Sequence, residues 1–383
     1  MSGLRMWLLL GALLIVPLPS PAEPAAQLGA PLEMSSVEPH LYDFSAPSPL
    51  GRLAVDASSR ADVVNFWNTV YMASEGVDAE WSGDVASCTA GTTSAAHHEA
   101  TLRRVNFFRA MVGLPDNVTF DAVYSAKCQE AALMMIAEGA LNHYPSTSWA
   151  CYTEDGYQGA SHSNLALGQH GPAAIDLYMS DTGASNTAVG HRRWILFPPQ
   201  LLMGSGSTTA TFGFYHGSNA LWVLGTRGER PVDPACVPWP PEGFVPYQIV
   251  YGRWSFSHHE ADFSPANVTM TQGVNPIDLT VVHRGGGYGD PTIVWEPSGL
   301  PSGAPAADTT YDITISNVII NTELRAFSYS VTVIDPSSVP SEPTTAEILS
   351  YLLGVGPDTG NLNVNGDDCV DSADVVENLQ AGR

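Results

Sequence analysis

The sequence predicts an α+β protein of several domains: a mixed helix-and-sheet domain, an all-β immunoglobulin-like sandwich, and a small helix–loop–helix calcium module. Three observations lead to this prediction. Apolar residues recur at helical spacing in the first half of the chain. Beyond the proline-rich stretch 231–245 they alternate with polar residues, which is the period of strands. Near the end, amide and carboxylate side chains follow one another at the spacing of a calcium loop.

Composition narrows the function classes. The chain has 383 residues, 44% hydrophobic and 9% aromatic, which is enough apolar surface to build a core. Asp and Glu number 39 against 15 for Lys and Arg, giving a net charge of −24. Phosphate backbones and anionic lipid surfaces repel such a chain, so we expect no nucleic-acid partner. Calcium and other cations are more favourable partners for a chain with this negative charge.

The first residues have the features of a secretory signal peptide. Arg5 gives a positive start, an apolar run follows from Met6 to Leu18, and small residues precede a cleavage point after Ala22. The alternative is an uncleaved membrane anchor, but the run is shorter than the roughly 20 residues that a span needs. We therefore predict residues 1–22 as a signal peptide, and a secreted protein that is not integral to the membrane.

The first domain is predicted over residues 61–230, after a Pro- and Ala-rich linker at 23–60. Leu102, Val105 and Met111 lie on one helical stripe that stops before Pro115. We predict helices over 102–111, 125–138 and 172–179, and strands over 208–214 and 221–224. Helices followed by strands favour a layered α and β structure.

The second domain is predicted over residues 231–336. Alternation runs through stretches such as 311–315 and 327–333, with Gly and Pro turns between them, which is typical of a β-sandwich. Residues 337–383 are predicted to be a linker followed by two short helices around an acidic loop.

Five cysteines follow the signal segment. In an oxidising compartment Cys88, Cys128, Cys151 and Cys236 have the number for two disulfides, and the sequence does not choose among the three pairings. Cys369 is the odd one, inside the acidic loop.

The acidic loop places oxygen ligands at the positions that calcium requires. The predicted calcium ligands are Asn363, Asn365, Asp367, Cys369 through its carbonyl, Asp371 and Asp374. The loop resembles a dockerin-type, EF-hand-like repeat, and that resemblance implies a cohesin-like protein partner. Two positions depart from the pattern: Asp368 stands where Gly is usual, and Asn363 where Asp is usual. The alternative is a solvated acidic tail.

Several sequence words between 101 and 224 occur in a fixed order. They are RVNFFRAMVGLP at 104–115, AALMMIAEGALNH at 131–143, SNLALG at 163–168, GHRRWIL at 190–196 and MGSGSTTATFGFYHG at 203–217. Together they resemble the CAP superfamily (cysteine-rich secretory, antigen 5, pathogenesis-related) in its bacterial, SCP-like form. The resemblance implies an α/β/α sandwich with a surface cleft.

The resemblance also implies the residues of that cleft. Its two histidines fall on His143 and His191, which are expected to face a small or lipid-like ligand or a divalent cation such as zinc. The asparagine of the motif falls on Asn164. The two acidic companions fall on Ser163 and Ser180, so no general base is evident; His162, Asp181 and Glu154 are candidates to replace them. The alternative is a purely structural role for both histidines.

The first functional hypothesis is an exported binding or interaction protein, because the acidic residues of the family's cleft are replaced. The second is a secreted metal-dependent hydrolase, peptidase-like, that uses the same cleft. The third is a dockerin-anchored component of a polysaccharide-degrading assembly, with the tail as its attachment module. The catalytic residues, if there are any, are not identified by the sequence.

Overall fold

The computed structural model describes residues 26–33 and 53–338. It also describes Leu349, Leu352, Leu353, Leu362, Val370, Val375 and Val376 in the tail. The predicted signal peptide lies outside the described residues, and so do all the predicted calcium ligands: Asn363, Asn365, Asp367, Cys369, Asp371 and Asp374. None of the described helices combines the length and apolar character that a bilayer crossing requires.

Helices dominate the first half of the chain, as the periodicity predicts. Helix α3 begins after Asp121, whose carboxylate accepts from the backbone N–H groups of Val123 and Tyr124, and it ends at Gly139 with φ +70°. A Cβ at Gly139 would lie 2.1 Å from the Phe212 ring. The helices are α1 (Arg60–Phe66), α2 (Ala95–Met111), α3 (Ala122–Glu138), α4 (Glu154–Ser161), α5 (Gly171–Ser180) and α6 (Gly190–Ile195).

A five-stranded sheet forms the centre of this first region. Its strands are β1 (Gln27–Leu28), β2 (Thr119–Phe120), β3 (Ser163–Leu167), β4 (Leu202–Phe212) and β5 (Tyr215–Trp222). They lie in the order β1-β3-β5-β4-β2, and all neighbours are antiparallel except β2 and β4. The segment 23–60, predicted to be a linker with little structure, therefore supplies an edge strand.

The two faces of this sheet carry different helices. Helices α3 and α4 cover one face, where Cys128 and Leu165 join one apolar cluster. Helices α2, α5 and α6 cover the other, where Ala166 and Tyr178 join the larger core. Successive side chains of a strand point to opposite faces, so neighbouring residues of β3 serve different clusters.

Two further sheets form the β-sandwich region. Their strands are β6 (Cys236–Trp239), β7 (Gly243–Pro246), β8 (Trp254–His258), β9 (Ala261–Asp262), β10 (Asn267–Gln272), β11 (Asn275–Pro276), β12 (Leu279–Gly285), β13 (Thr292–Pro297), β14 (Thr309–Ile320) and β15 (Glu323–Ile334). One sheet has the order β11-β10-β14-β15-β7 with β9 beside β14, and the other β12-β13-β8-β6. The rings of Trp254 and Tyr311 meet edge to face between them, 6.0 Å apart.

Helix α6 joins the two regions. Arg192 is fully buried and donates to the carbonyl oxygens of Met179 (2.6 Å) and, in the sandwich region, Arg253 (2.8 Å). Arg193 donates to the carbonyl oxygen of Asp290 (2.7 Å). Burial lowers the pKa of Arg192 to about 10. Because these guanidinium groups serve main-chain acceptors on both sides, α6 fixes how the sandwich sits on the first region.

The cysteines form one disulfide rather than the two that their number allows. Cys88 and Cys151 are bonded. Cys128 and Cys236 are free thiols: Cys128 lies on α3 under the first sheet, 3.4 Å from the hydroxyl of Ser163, whereas Cys236 begins β6 in the sandwich region. The two belong to separate elements, so the expected second pairing does not form among the described residues.

Candidate functional site

His191 lies at the start of α6 and is held by a buried carboxylate. Its Nδ1 lies 2.7 Å from Oδ1 of Asp181, and both side chains are 0% exposed. The other oxygen of Asp181 accepts from the backbone N–H of His191 (2.9 Å) and of Arg192 (3.3 Å). A carboxylate accepts only, so Nδ1 of His191 carries a proton and donates to Asp181. The Nε2 of His191 is buried and has no hydrogen-bond partner within the described part of the chain.

Asn164 connects this histidine to the sheet. Its side-chain amide, buried on β3, donates to the carbonyl oxygen of His191 at 3.1 Å. The hydroxyl of Tyr178 on α5 donates to the carbonyl oxygen of Asn164 at 3.1 Å. The asparagine therefore ties α6 and α5 to the same strand, which is a positioning contact rather than a chemical one.

His143 lies on the other side of the cleft, in the loop between α3 and α4. Its Nδ1 is 2.8 Å from the carbonyl oxygen of Ala160, and its Nε2 lies against the carbonyl oxygen of Ala30. Burial lowers the pKa of His143, the two carbonyls oppose that shift, and the nearby charge of His191 adds to it. His191 is therefore close enough to act on the charge of His143.

Residues 26–33, which we call the N-terminal strap, cross this cleft. Gln27 pairs with Leu167 and Leu28 with Ala166, so the strap adds an antiparallel edge to β3. Its Gly29 N–H then donates to the carbonyl oxygen of Leu165 at 3.1 Å. Beyond that point the strap leaves the ladder, and Ala30 lies against His143 while Pro31 lies against Gly190 of α6.

The second half of the strap is held by contacts to its main chain and by the apolar contact of Pro31. The indole Nε1–H of Trp194 on α6 donates to the carbonyl oxygen of Leu32 at 2.7 Å. Pro31 rests on Gly190, where a Cβ would lie only 2.4 Å from the proline ring, so glycine is needed for this approach. Tyr288 from the sandwich region closes the far end by donating to Glu33 at 3.4 Å.

The structure places the residues proposed to replace the missing acids in different surroundings. Asp181 bonds His191, whereas His162 stacks on Trp222 with ring centroids 4.4 Å apart. Glu154 is exposed in the first turn of α4. Ser163 points to the α3 face, toward Cys128. The carboxylate of this cleft therefore comes from the residue that follows α5.

These residues fit a catalytic zinc centre poorly. Such a centre takes three protein ligands and a water. In the described parts of the chain no group of three or more His, Cys, Asp or Glu side chains is placed to hold a metal ion. The outer nitrogen of His143 faces a strap carbonyl, and Asp181 is used behind the ring of His191. The outer nitrogen of His143 and the indole of Trp194 meet main-chain oxygens of residues 26–33 instead.

Comparison with known proteins finds a family match within the first region. Residues 102–220 match the family model described as CAP, the cysteine-rich secretory protein family. The chain therefore contains a CAP domain, with His143, Asn164 and His191 inside the matched segment. No curated protein matches the chain in sequence. The match ends within β5, before the sandwich region begins.

Three features of the site were missed from the sequence. The strap has no hydrophobic period, because it pairs over two residues only. Trp194 lies inside the histidine motif, but its hydrogen bond to the distant Leu32 is not among the contacts that the motif predicts. Tyr288 belongs to a Gly-rich loop of another region. The available signal was GHRRWIL itself, which puts a buried indole N–H one helical turn from His191.

Proposed function

We propose that the chain is an exported binding protein whose CAP cleft is its ligand site. The observation that supports this most directly is that side chains of the cleft meet carbonyl oxygens of a bound segment, with the indole of Trp194 as a donor. The Nε2 of His143 and the indole of Trp194 meet carbonyl oxygens of the strap, and His191 is held behind them by Asp181. None of these contacts pairs a nucleophile with a base.

One pair of histidine variants distinguishes a binding function from a hydrolytic one. His143→Ala and His191→Ala, with His259→Ala as an exposed control in the sandwich region, are assayed with peptide and ester substrates and added Zn²⁺ or Mn²⁺. We expect no turnover in any chain, and altered ligand binding in the two cleft variants only. A metal-supplemented hydrolysis that both cleft variants lose and the control keeps would contradict the binding proposal.

The hydrolase is the second candidate, and one observation favours it. The buried Nε2 of His191 has no partner in the described structure, while Asp181 orients the ring from behind, as second carboxylates do behind metal-bound histidines. Zinc titration monitored by calorimetry tests this candidate. Binding that disappears in both histidine variants supports a cation in the cleft, and absence of heat in the wild type argues against it.

Export and the tail rest on sequence pattern. We propose cleavage after Ala22, so N-terminal sequencing of the secreted product is expected to begin at Glu23.

We also propose that residues 363–374 bind calcium and can dock a cohesin-like partner. In a calcium titration we expect the wild type to bind calcium, and we expect both Asp367→Ala and Asp371→Ala to lose that binding. Unchanged binding in both would leave the tail as an acidic solvated segment.

A further inference from the structure

We infer that the ligand of the CAP cleft is an extended polypeptide of a partner protein, bound as an added edge strand on β3, and that the N-terminal strap is an exchangeable resident of the same groove. This inference rests on the proposed binding function and names the chemical class of the ligand. It also gives the sandwich region a part in the site, through Tyr288.

The contacts of the strap have the pattern of strand addition. Main-chain hydrogen bonds join it to β3, and two side chains, His143 and Trp194, lie against its main-chain oxygens, Trp194 as a donor. Such contacts are available from any extended chain, whatever its side chains. A small molecule or a lipid tail does not present acceptors at this repeat, whereas a peptide does.

Selectivity for the sequence of the bound peptide comes from the two buried residues of the strap. Pro31 and Leu32 are buried, and Leu32 is 4% exposed. Gly190 is needed for the proline to approach, and the end of the groove offers the hydroxyl of Tyr288 with Arg193 above its ring at 5.3 Å. The groove thus favours a segment in which proline and a branched apolar residue are followed by an acidic one.

The strap is held loosely enough to exchange. Gln27, Ala30 and Glu33 are exposed, and the ladder with β3 covers two residues. In contrast, every residue of β3 itself is buried. Segments with few buried contacts need little free energy to unfold locally, compared with the rest of the protein. Release of the strap leaves the edge of β3 with unpaired N–H and C=O groups, which is the surface that a partner strand needs.

The test uses the chain from Glu23 and a labelled peptide of residues 26–33, with fluorescence anisotropy as the readout. Gly29→Pro removes the N–H that bonds Leu165 and so releases the strap from the chain. We expect the peptide to bind this variant about tenfold or more tighter than the intact chain, because the competing strap is gone. A peptide with serine in place of Pro31 and Leu32 is expected to bind about tenfold more weakly.

A second design does not depend on the folding of that variant. A specific protease site is inserted in the stretch 34–52, and the folded chain is then cut between the strap and Leu53. The cut strap is expected to dissociate on dilution and to be replaced by the labelled peptide. In Trp194→Phe cut in the same way, we expect faster dissociation by about tenfold.

The outcomes are distinct. If folded, strap-free protein does not bind the peptide, the inference is overturned. If in that case it binds Zn²⁺ or fatty-acid probes in a His143-dependent way, the binding function stands with another ligand class. If light scattering shows that intact chains dimerise through exchanged straps and do not take up the free peptide, the occupant is a second copy and the partner assignment is overturned.

Discussion

The two walls of the cleft differ in how they are fixed. The His191 wall is built from α6, β3 and α5; Asp181 and Asn164 hold His191 from inside the protein, and Trp194 donates to the strap. The His143 wall is the irregular loop after α3, and one of the two ring contacts of His143 is made to the strap. The comparison teaches that the ring of His191 is oriented independently of what lies in the groove, whereas the hydrogen bonding of the His143 ring is completed by the occupant.

The largest expected effect concerns the His143 wall. The Cys88–Cys151 disulfide closes a separation of 63 residues and ties the loop that carries His143 to the turn before α2. In the chain-entropy account a loop of this length stabilises the folded state by about 4 kcal/mol. The double variant Cys88→Ser/Cys151→Ser is therefore expected to lose about that free energy of unfolding in urea.

The matched control for this variant is Cys236→Ser, a cysteine outside any disulfide. It is expected to cost less than about 1 kcal/mol, since its thiol is half-buried and free. Hydrogen exchange should also show faster opening of residues 139–153 than of α6 in the double variant. Equal acceleration of both walls would contradict the comparison.

The next effect in size concerns the His191 wall. Asp181→Asn keeps the shape of the side chain but removes the charge that accepts from the His191 ring and from two backbone N–H groups. Removing one partner of a buried charged contact is expected to cost about 3 kcal/mol, measured by urea unfolding. Asp155→Asn, at a side chain that is 65% exposed, is the control and should stay within about 0.5 kcal/mol of the wild type.

Much of the first region was predictable from the sequence because its apolar pattern is long and regular. Helices α3 and α5 were predicted close to their observed bounds, whereas α2 begins at Ala95 rather than at 102. Residues 102–220 are a CAP domain, as the motifs indicated. The sandwich region followed from period-two alternation, which one-sided burial imposes on strands. These signals come from many residues acting together.

The parts of the site that were not predicted depend on single contacts between distant segments. Asp181 was one of three candidates, since its distance from His191 is set by the turn between α5 and α6 rather than by a repeat. The strap was assigned to a linker because a two-residue strand has no period to detect. The hydrogen bond from Trp194 to the carbonyl oxygen of Leu32 is a tertiary contact without a local signature.

A smaller effect compares the two faces of β3. Asn164→Ala removes a buried amide that supports His191, and is expected to cost about 2 kcal/mol through the lost hydrogen bond and the space left behind. Ser163→Ala is the neighbouring control on the opposite face, where the hydroxyl meets only a thiol and a cost below about 1 kcal/mol is expected. Similar losses in both variants, by thermal or urea unfolding, would show that Asn164 does no more than fill the sheet.

The smallest expected effect concerns proton uptake at the His143 wall. Burial lowers the pKa of His143, so the folded chain takes up this proton less readily than the unfolded chain does. The stability that this histidine contributes is therefore complete above its unfolded pKa of about 6.5 and is lost as the pH falls toward its folded value. The test measures how much unfolding free energy is lost between pH 7.5 and pH 5.5. We expect this loss to be smaller in His143→Gln than in the wild type. The control is the exposed His259→Gln, in which we expect the same loss as in the wild type. A steeper loss in His143→Gln would mean that the two carbonyls facing the ring outweigh its burial, and that protonation strengthens the hold on the strap.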